Sequence, residues 1–340
     1  MKTNPLCAAI IVLLGSVFTV HAQTTGGALL VLAKTDHTLS IVDPSTLKVS
    51  GQVPSGPDPH EVIASDDGRF AYISNYGGGS YNTITPVDLS KPQALPPIDL
   101  GALRGAHGLT YVGGKLWFTA EGSKAVGSYD PATRKLDWSM GTGQDRTHMI
   151  YVTADGQKIY TANIASGTVS ILTNTLIQPG RTAPPNAKPR EDWTQTIVPT
   201  ARGSEGFDVL PDGKELWTAS AEDGTISIIN VAEKKLATKV DAKVLGANRL
   251  KFTPDGKLAF ISSLQTGELT IFNTTSRKEV KRLKIGRGAA GILMDPDGSR
   301  AFVACSPDNY IAIIDLKTLE VTNHLDVGGV PDGLAWSFQE

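Results

Sequence analysis

Short apolar runs separated by Gly- and Asp-containing turns recur along the chain after an initial uncharged stretch. The segments KLAFISSLQTGELTIFNTTSRKEVKRLKIGRGAAGILMDPDG and RAFVACSPDNYIAIIDLKTLEVTNHLDVGGVPDGLAWS match almost step for step. The same pattern runs back through LWTASAEDGTISIINVAEKK, IYTANIASGTVSIL, LWFTAEGSKAVGSYDPATRK, AYISNYGGGSYNTITPVDLS and LLVLAKTDHTLSIVDPSTLK. These are seven copies, spaced roughly 40 to 57 residues apart, at or just beyond the period of propeller blades. Each copy reads as four strands. Strand A is a short run such as HEVIAS, and a turn that often carries Asp-Gly follows it, because both residues tolerate positive φ. Strand B is the LYVTN-like run, strand C alternates with period two as in TISIIN, and strand D is short and leads into a Gly-containing turn.

The copies are out of phase with the termini. Residues 27–54 supply strands B, C and D, and DGLAWSF at 332–338 is a lone strand A. The two ends therefore complete one blade together, which closes the ring and hides the sheet edges. The pattern predicts an all-β, seven-bladed β-propeller with four antiparallel strands per blade, occupying residues 23–340 as one domain.

The residues YISN (72–75) and FVAC (302–305), the PDG turns and the GGVPDG turn (328–333) resemble the YVTN-type β-propeller repeat family of secreted and periplasmic proteins. The resemblance covers essentially the whole chain after residue 22. It implies the fold and leaves the function open: related propellers include lactonases, metal-dependent lyases and binding proteins.

Repeat equivalence also singles out a ring. The residue that opens strand A is His60, His107, His148, Glu205, Asn248, Ala290 and Asp332 in successive copies. Strand A is innermost, so these positions surround one mouth of the central channel, on the top face. Three neutral imidazoles with a carboxylate suit a divalent transition metal such as Zn, Fe or Cu, with His60, His107, His148 and Glu205 as the candidate ligands. Glu205 is also a candidate general base, and Asp332 a catalytic partner that orients His60. A metal-free binding or acid–base site, and a purely structural polar channel, remain open alternatives.

Arg104, Arg146, Arg202 and Arg287 lie two or three residues before ring positions, and Arg249 lies one after. Guanidinium groups at the mouth suit a small anionic ligand, with Asn248 and Tyr76 as further contacts; rim ion pairs with nearby acids are the competing reading. The B-to-C turns on the same face supply His37, Asn75, Tyr76, Glu121, Asn163, Glu222, Gln265 and Asp308. The insertion at 173–196 is rich in Pro and charge and reads as an extended loop on the bottom face, pinned by Trp193. His324 falls away from the ring, in strand D. Trp117, Trp138, Trp217 and Trp336 are expected to pack between blades.

Composition narrows the function further. With 340 residues, 40% of them hydrophobic, and a net charge of −2, the chain builds a large core and offers no bulk attraction to nucleic acid or anionic membranes. Lys2, the apolar run Leu6–Val20 and the Val20-His21-Ala22 site read as a cleaved secretory leader over 1–22, which places the protein in the periplasm or outside the cell, with no membrane span. Removing the leader leaves Cys305 as the one cysteine, in an apolar strand that suits an inert thiol. The sequence has no GxSxG elbow, Walker loop, CxxCH or Rossmann fingerprint. The expectation is a propeller that binds a metal ion and a small anionic ligand, as a lactonase or lyase; the alternative is a non-catalytic scaffold that binds a protein partner.

Overall fold

The computed structural model describes residues 27–184 and 186–338. The leader expected over 1–22 lies outside the described residues. Seven antiparallel sheets form the seven blades of a propeller. The first blade joins the two ends of the chain: Pro331–Phe338 is strand A, followed by Gly27–Ala33, Thr38–Asp43 and Lys48–Pro54. Strand A of the second to seventh blades is Pro59–Ala64, Ala106–Val112, Thr147–Val152, Ser204–Val209, Ala247–Phe252 and Ala289–Met294. Among the described residues, no helix is long and apolar enough to cross a membrane.

Burial explains why the strands read differently in sequence. Strand B is buried along nearly its whole length, as in Phe70–Asn75, Lys158–Asn163 and Arg300–Cys305. It is packed against a neighbouring blade on both faces, so it is mostly apolar, with small buried polar residues such as Ser74 and Thr161 and no alternation to an exposed face. Strand D, on the rim, is mostly exposed, as in Lys235–Asp241. The core is a series of inter-blade clusters: Leu30 and Leu32 of the first blade pack with Val62 and Ile73 of the second, and Trp217 and Ile226 of the fifth pack with Leu250 and Phe252 of the sixth. Trp336 packs edge-on to Phe302 across another seam. Cys305 is buried, and burial pushes its thiol up to about 11, as an inert core thiol requires.

Two elements depart from the sequence reading. The insertion at 173–196 is largely a two-stranded arm: Thr168–Ile177 and Arg190–Pro199 pair continuously from Thr168↔Pro199 to Ile177↔Arg190. The Thr, Ile and Leu content of TVSILTNTLI and of WTQTIV sustains the ladder, and only the Pro-rich tip stays irregular. Trp193 does pin this arm, against Trp117 and Trp138 of the third blade. In the second blade, strand D is split into Gln93–Ala94 and Ile98–Asp99 by Leu95-Pro96-Pro97, which breaks the rim ladder.

The innermost strands set the geometry of the channel. In every blade the register between strands A and B shifts at the second residue of strand A, the ring position. Such a bulge re-aims side chains out of strict alternation. Four of the residues that follow the ring position are glycines, Gly108, Gly206, Gly291 and Gly333, and each lies against the backbone of the next blade's strand A. At Gly206 a methyl group would stand 2.5 Å from the carbonyl oxygen of Asn248 and 2.6 Å from the Arg249 Cα. Gly206→Ala is therefore expected to cost about 1–3 kcal/mol, as overpacking does. Gly141→Ala, where nothing lies within 4 Å, should be near neutral; equal thermal midpoints for the two variants would contradict this account of blade spacing.

Candidate functional site at the channel mouth

The bulged second residues bring His60, His107, His148, Glu205, Asn248, Ala290 and Asp332 around one pocket of about 290 Å³, together with Tyr76, Arg146, Lys34 and Arg249. His107 and His148 stack with ring centroids 3.6 Å apart, and His60 lies 5.0 Å from His107. Both stacked imidazoles are buried. The ring read from the repeat is thus assembled in space.

His148 is the best anchored of these groups. Its Nδ1 lies 2.5 Å from Glu121 Oε2, and its Nε2 lies 3.3 Å from Glu205 Oε1. Glu121 also accepts from Tyr76 Oη at 2.5 Å and from Arg146 Nε at 3.1 Å. Burial opposes a charge on His148, but the hydrogen bonds and charges of Glu121 and Glu205 outweigh it and raise the imidazole above its usual value. Burial likewise opposes ionisation of both carboxyls, yet each is held down to about 2: Glu121 by His148, Tyr76 and Arg146, Glu205 by His148 and Arg249. Tyr76 is pushed up to about 12, by burial and then by Glu121. His107 behaves oppositely. Burial, with the charges of His148 and His60 behind it, drops it well below the ordinary histidine range. His60 is lowered too, by burial and then by Lys34; its Nδ1 lies 3.3 Å from Lys34 Nζ and its Nε2 3.2 Å from Asp58.

The floor of the pocket is an ion-pair network across the axis. Arg249 of the sixth blade bonds Glu205 at 2.8 Å and pairs with Glu61 of the second blade. Asn248 Nδ2 donates to Glu205 at 2.6 Å. Asp332 receives Lys34 at 3.2 Å. Three buried polar atoms at the pocket make no well-formed hydrogen bond among the described residues: His107 Nδ1, Asn248 Oδ1 and His148 Nε2, whose 3.3 Å approach to Glu205 is an ion-pair contact only. Unpaired buried polar groups are costly, and their convergence on one cavity marks a place where a ligand or water completes the bonding.

The ligand set expected of His60, His107, His148 and Glu205 is not formed. His148 turns both nitrogens toward carboxylates, His60 turns its own toward Lys34 and Asp58, and the nitrogens do not face one point. Among the described residues, no three His, Cys, Asp or Glu side chains are placed to hold one ion. The expected guanidinium cluster is also reduced. Arg146 lines the pocket, but Arg202 pairs with Glu222 at 3.7 Å on the rim, Arg287 pairs with Asp308 at 2.5 Å, and Arg104 is exposed. Arg146 lies two residues before its ring position and the others three before, and that one-residue offset sends them outward. Lys34 and Glu61 were not recognised from sequence. Glu121 read only as one of several turn residues, and Arg249 only as a neighbour of the ring. His324 packs on Tyr310, away from the mouth.

No family model matches the chain, and no curated protein matches it in sequence. Solved structures do match in fold. A candidate 6-phosphogluconolactonase from Bacteroides fragilis is 18% identical, with a TM-score of 0.71 over 93% of this chain and 99% of that one. A functionally unknown protein from Desulfotomaculum acetoxidans is 14% identical, with a TM-score of 0.73 over 92% and 99%. The dihydro-heme d1 dehydrogenase NirN is 15% identical, with a TM-score of 0.61 over 90% of this chain and 74% of that one. At these identities the likeness shows the propeller fold.

The pH dependence of stability follows from the clamped imidazole. The lowered carboxyls stabilise the fold above the ordinary glutamate range, near 4.5, and that contribution is lost as pH falls toward 2. The raised imidazole adds stability below about 6.5, lost as pH rises through its folded value. Glu121→Gln is expected to cost about 3 kcal/mol at pH 6 and to flatten the fall in thermal midpoint between pH 5 and pH 3. A variant with the wild-type pH profile would contradict the clamp.

Proposed function

We propose that the protein is an acid–base enzyme that opens a small lactone or ester at the channel mouth, working without a resident metal. The observation that carries this reading is the stacked pair: one imidazole, His148, fixed between two carboxylates, and a second, His107, 3.6 Å away with a buried nitrogen that has no partner. The opposed directions of their basicities support it, since neighbouring groups whose environments push them apart supply an acid and a base at one pH. His107, neutral, removes a proton from the attacking water. His148, charged, donates through Nε2 to the carbonyl oxygen where negative charge develops. Collapse of the tetrahedral adduct breaks the C–O bond, and the leaving alkoxide takes the proton held by His107. The products are an alcohol and a carboxylic acid, which releases its proton to solvent as a carboxylate; the two groups are joined in one molecule when the substrate is a lactone. Glu121 keeps His148 charged and fixes its ring orientation; Tyr76 and Arg146 hold Glu121 in turn.

The fold of the candidate 6-phosphogluconolactonase agrees with this class of chemistry by analogy. A second reading, a scaffold that binds a protein partner, is favoured by the exposed Leu176 and Ile177 of the arm beside the fourth blade.

Hydrolysis of a panel of γ- and δ-lactones and aryl esters separates the two readings. His107→Ala and His148→Ala should each lower kcat by about 10²–10⁴, with His324→Ala unchanged. Dialysis against a chelator should leave the rate intact. No turnover of any panel member, or equal rates in all three variants, would favour the scaffold; loss on chelation restored by a divalent ion would return the metal to the site.

A further inference from the structure

Every turn that leads into a strand A places the residue two before the ring position at positive φ. Gly105, Gly203, Gly246 and Gly288 occupy it in four blades, with φ of 71°, 76°, 69° and 55°. Glycine is the residue such a backbone favours. Asp58, Arg146 and Val330 occupy it in the other three, with φ of 45°, 56° and 55°. Asp accepts this region with little strain, and Asp58 is engaged by His60. Val330 is the exception: among the described residues it is the one β-branched side chain at positive φ, where a branched Cβ is a true outlier. Hydrogen bonds hold it there, from its own N–H to Asn309 Oδ1 at 2.9 Å and from the Lys34 N–H to its carbonyl at 3.1 Å. A backbone strained where glycine would serve points to a side chain kept for function.

We propose that Val330 and Arg146 form a two-ended clamp that selects a small carboxylate with a short apolar tail. Both line the pocket, from equivalent turns of the first and fourth blades, on opposite sides of the mouth. Val330, Leu264 and Ala290, where the ring carries alanine instead of a polar residue, are the apolar part of the lining, beside Ser306 and the paired Lys34 and Asp332. Arg146 engages Glu121 through Nε alone. Its two terminal nitrogens make no hydrogen bond among the described residues, and they form the planar fork that receives a carboxylate in bidentate fashion. The other pocket cations, Lys34 and Arg249, are committed to Asp332 and to Glu61 and Glu205. A ligand spanning the mouth would lay its centre over His107 and His148. A volume of about 290 Å³ sits at the small end of ligand pockets and suits a compact molecule. The clamp rests on the reading of this pocket as a ligand site, and it names the substrate or product end that carries the negative charge.

The test uses hexanoate as probe, with hexanamide as its uncharged control and acetate as its tail-less control, measured by thermal shift and calorimetry. Arg146→Gly and Val330→Gly give these turns the residue that four blades already use, so both should fold, with Val330→Gly unfolding about 1–3 °C above wild type. Wild type should bind hexanoate at least tenfold more tightly than hexanamide or acetate. Arg146→Gly should lose the preference over hexanamide, and Val330→Gly the preference over acetate. Arg146→Lys and Val330→Ala repeat the comparison if either glycine variant misfolds. Absence of hexanoate binding to wild type, equal binding of the three probes, or wild-type preferences in the variants each overturns the clamp. Catalysis that fails with this binding intact overturns the acid–base reading alone.

Discussion

The site depends on one backbone irregularity repeated around a circle. In each innermost strand the ladder slips at the second residue. That slip turns the ring residue and its successor toward the axis together, which a regular strand cannot do. Where the successor is glycine, adjacent strands close up until backbone meets backbone. Where it is Glu61 or Arg249, the side chains cross the axis and join. The same device therefore builds the wall of the pocket from ring residues and its floor from their neighbours. Residues far apart in the chain, such as His107 and Asp332, meet because the ring is closed by a blade made from both ends.

Charge is placed economically on this frame. Glu121 and Glu205 enclose His148, Glu205 and Glu61 share Arg249, and Asp332 holds Lys34. Each buried charge has an opposite neighbour, as burial demands. Two groups at the pocket pair with no carboxylate through the atoms that face it, among the described residues: the imidazole of His107 and the fork of Arg146. In the proposed reading these two are what a ligand meets, one as a base and the other as an anion receptor. The conformational cost is concentrated at Val330, whose backbone adopts a shape that glycine would take freely.

The fold was legible because each blade repeats the same burial problem: a strand packed on both sides, an alternating strand, and an exposed rim strand. The ring was legible because equivalence in a repeat is equivalence in space. What escaped depended on the bulge and on turn geometry. Period two puts Glu61 and Arg249 on the wrong face, and only the register slip corrects it. Arg104, Arg202 and Arg287 looked equivalent to Arg146, but a single residue of offset across a left-handed turn separates rim from pocket. Glu121 lay among eight turn residues with nothing in the sequence to mark it; its distinction is that His148 reaches it across the seam between the third and fourth blades. The nitrogens of the histidines were expected to share an ion because residue type suggests it, whereas Glu121 and Glu205 engage those of His148, and Lys34 and Asp58 those of His60.

The central claim is that two touching imidazoles hold opposite protonation states around neutral pH. Nitrogen-15 NMR of histidine-labelled protein, titrated from pH 5 to pH 8, measures this directly. The account predicts a neutral His107 throughout and a His148 that stays charged beyond the ordinary midpoint near 6.5, with Nδ1 hydrogen-bonded to Glu121. Two imidazoles titrating together near 6.5 would contradict it.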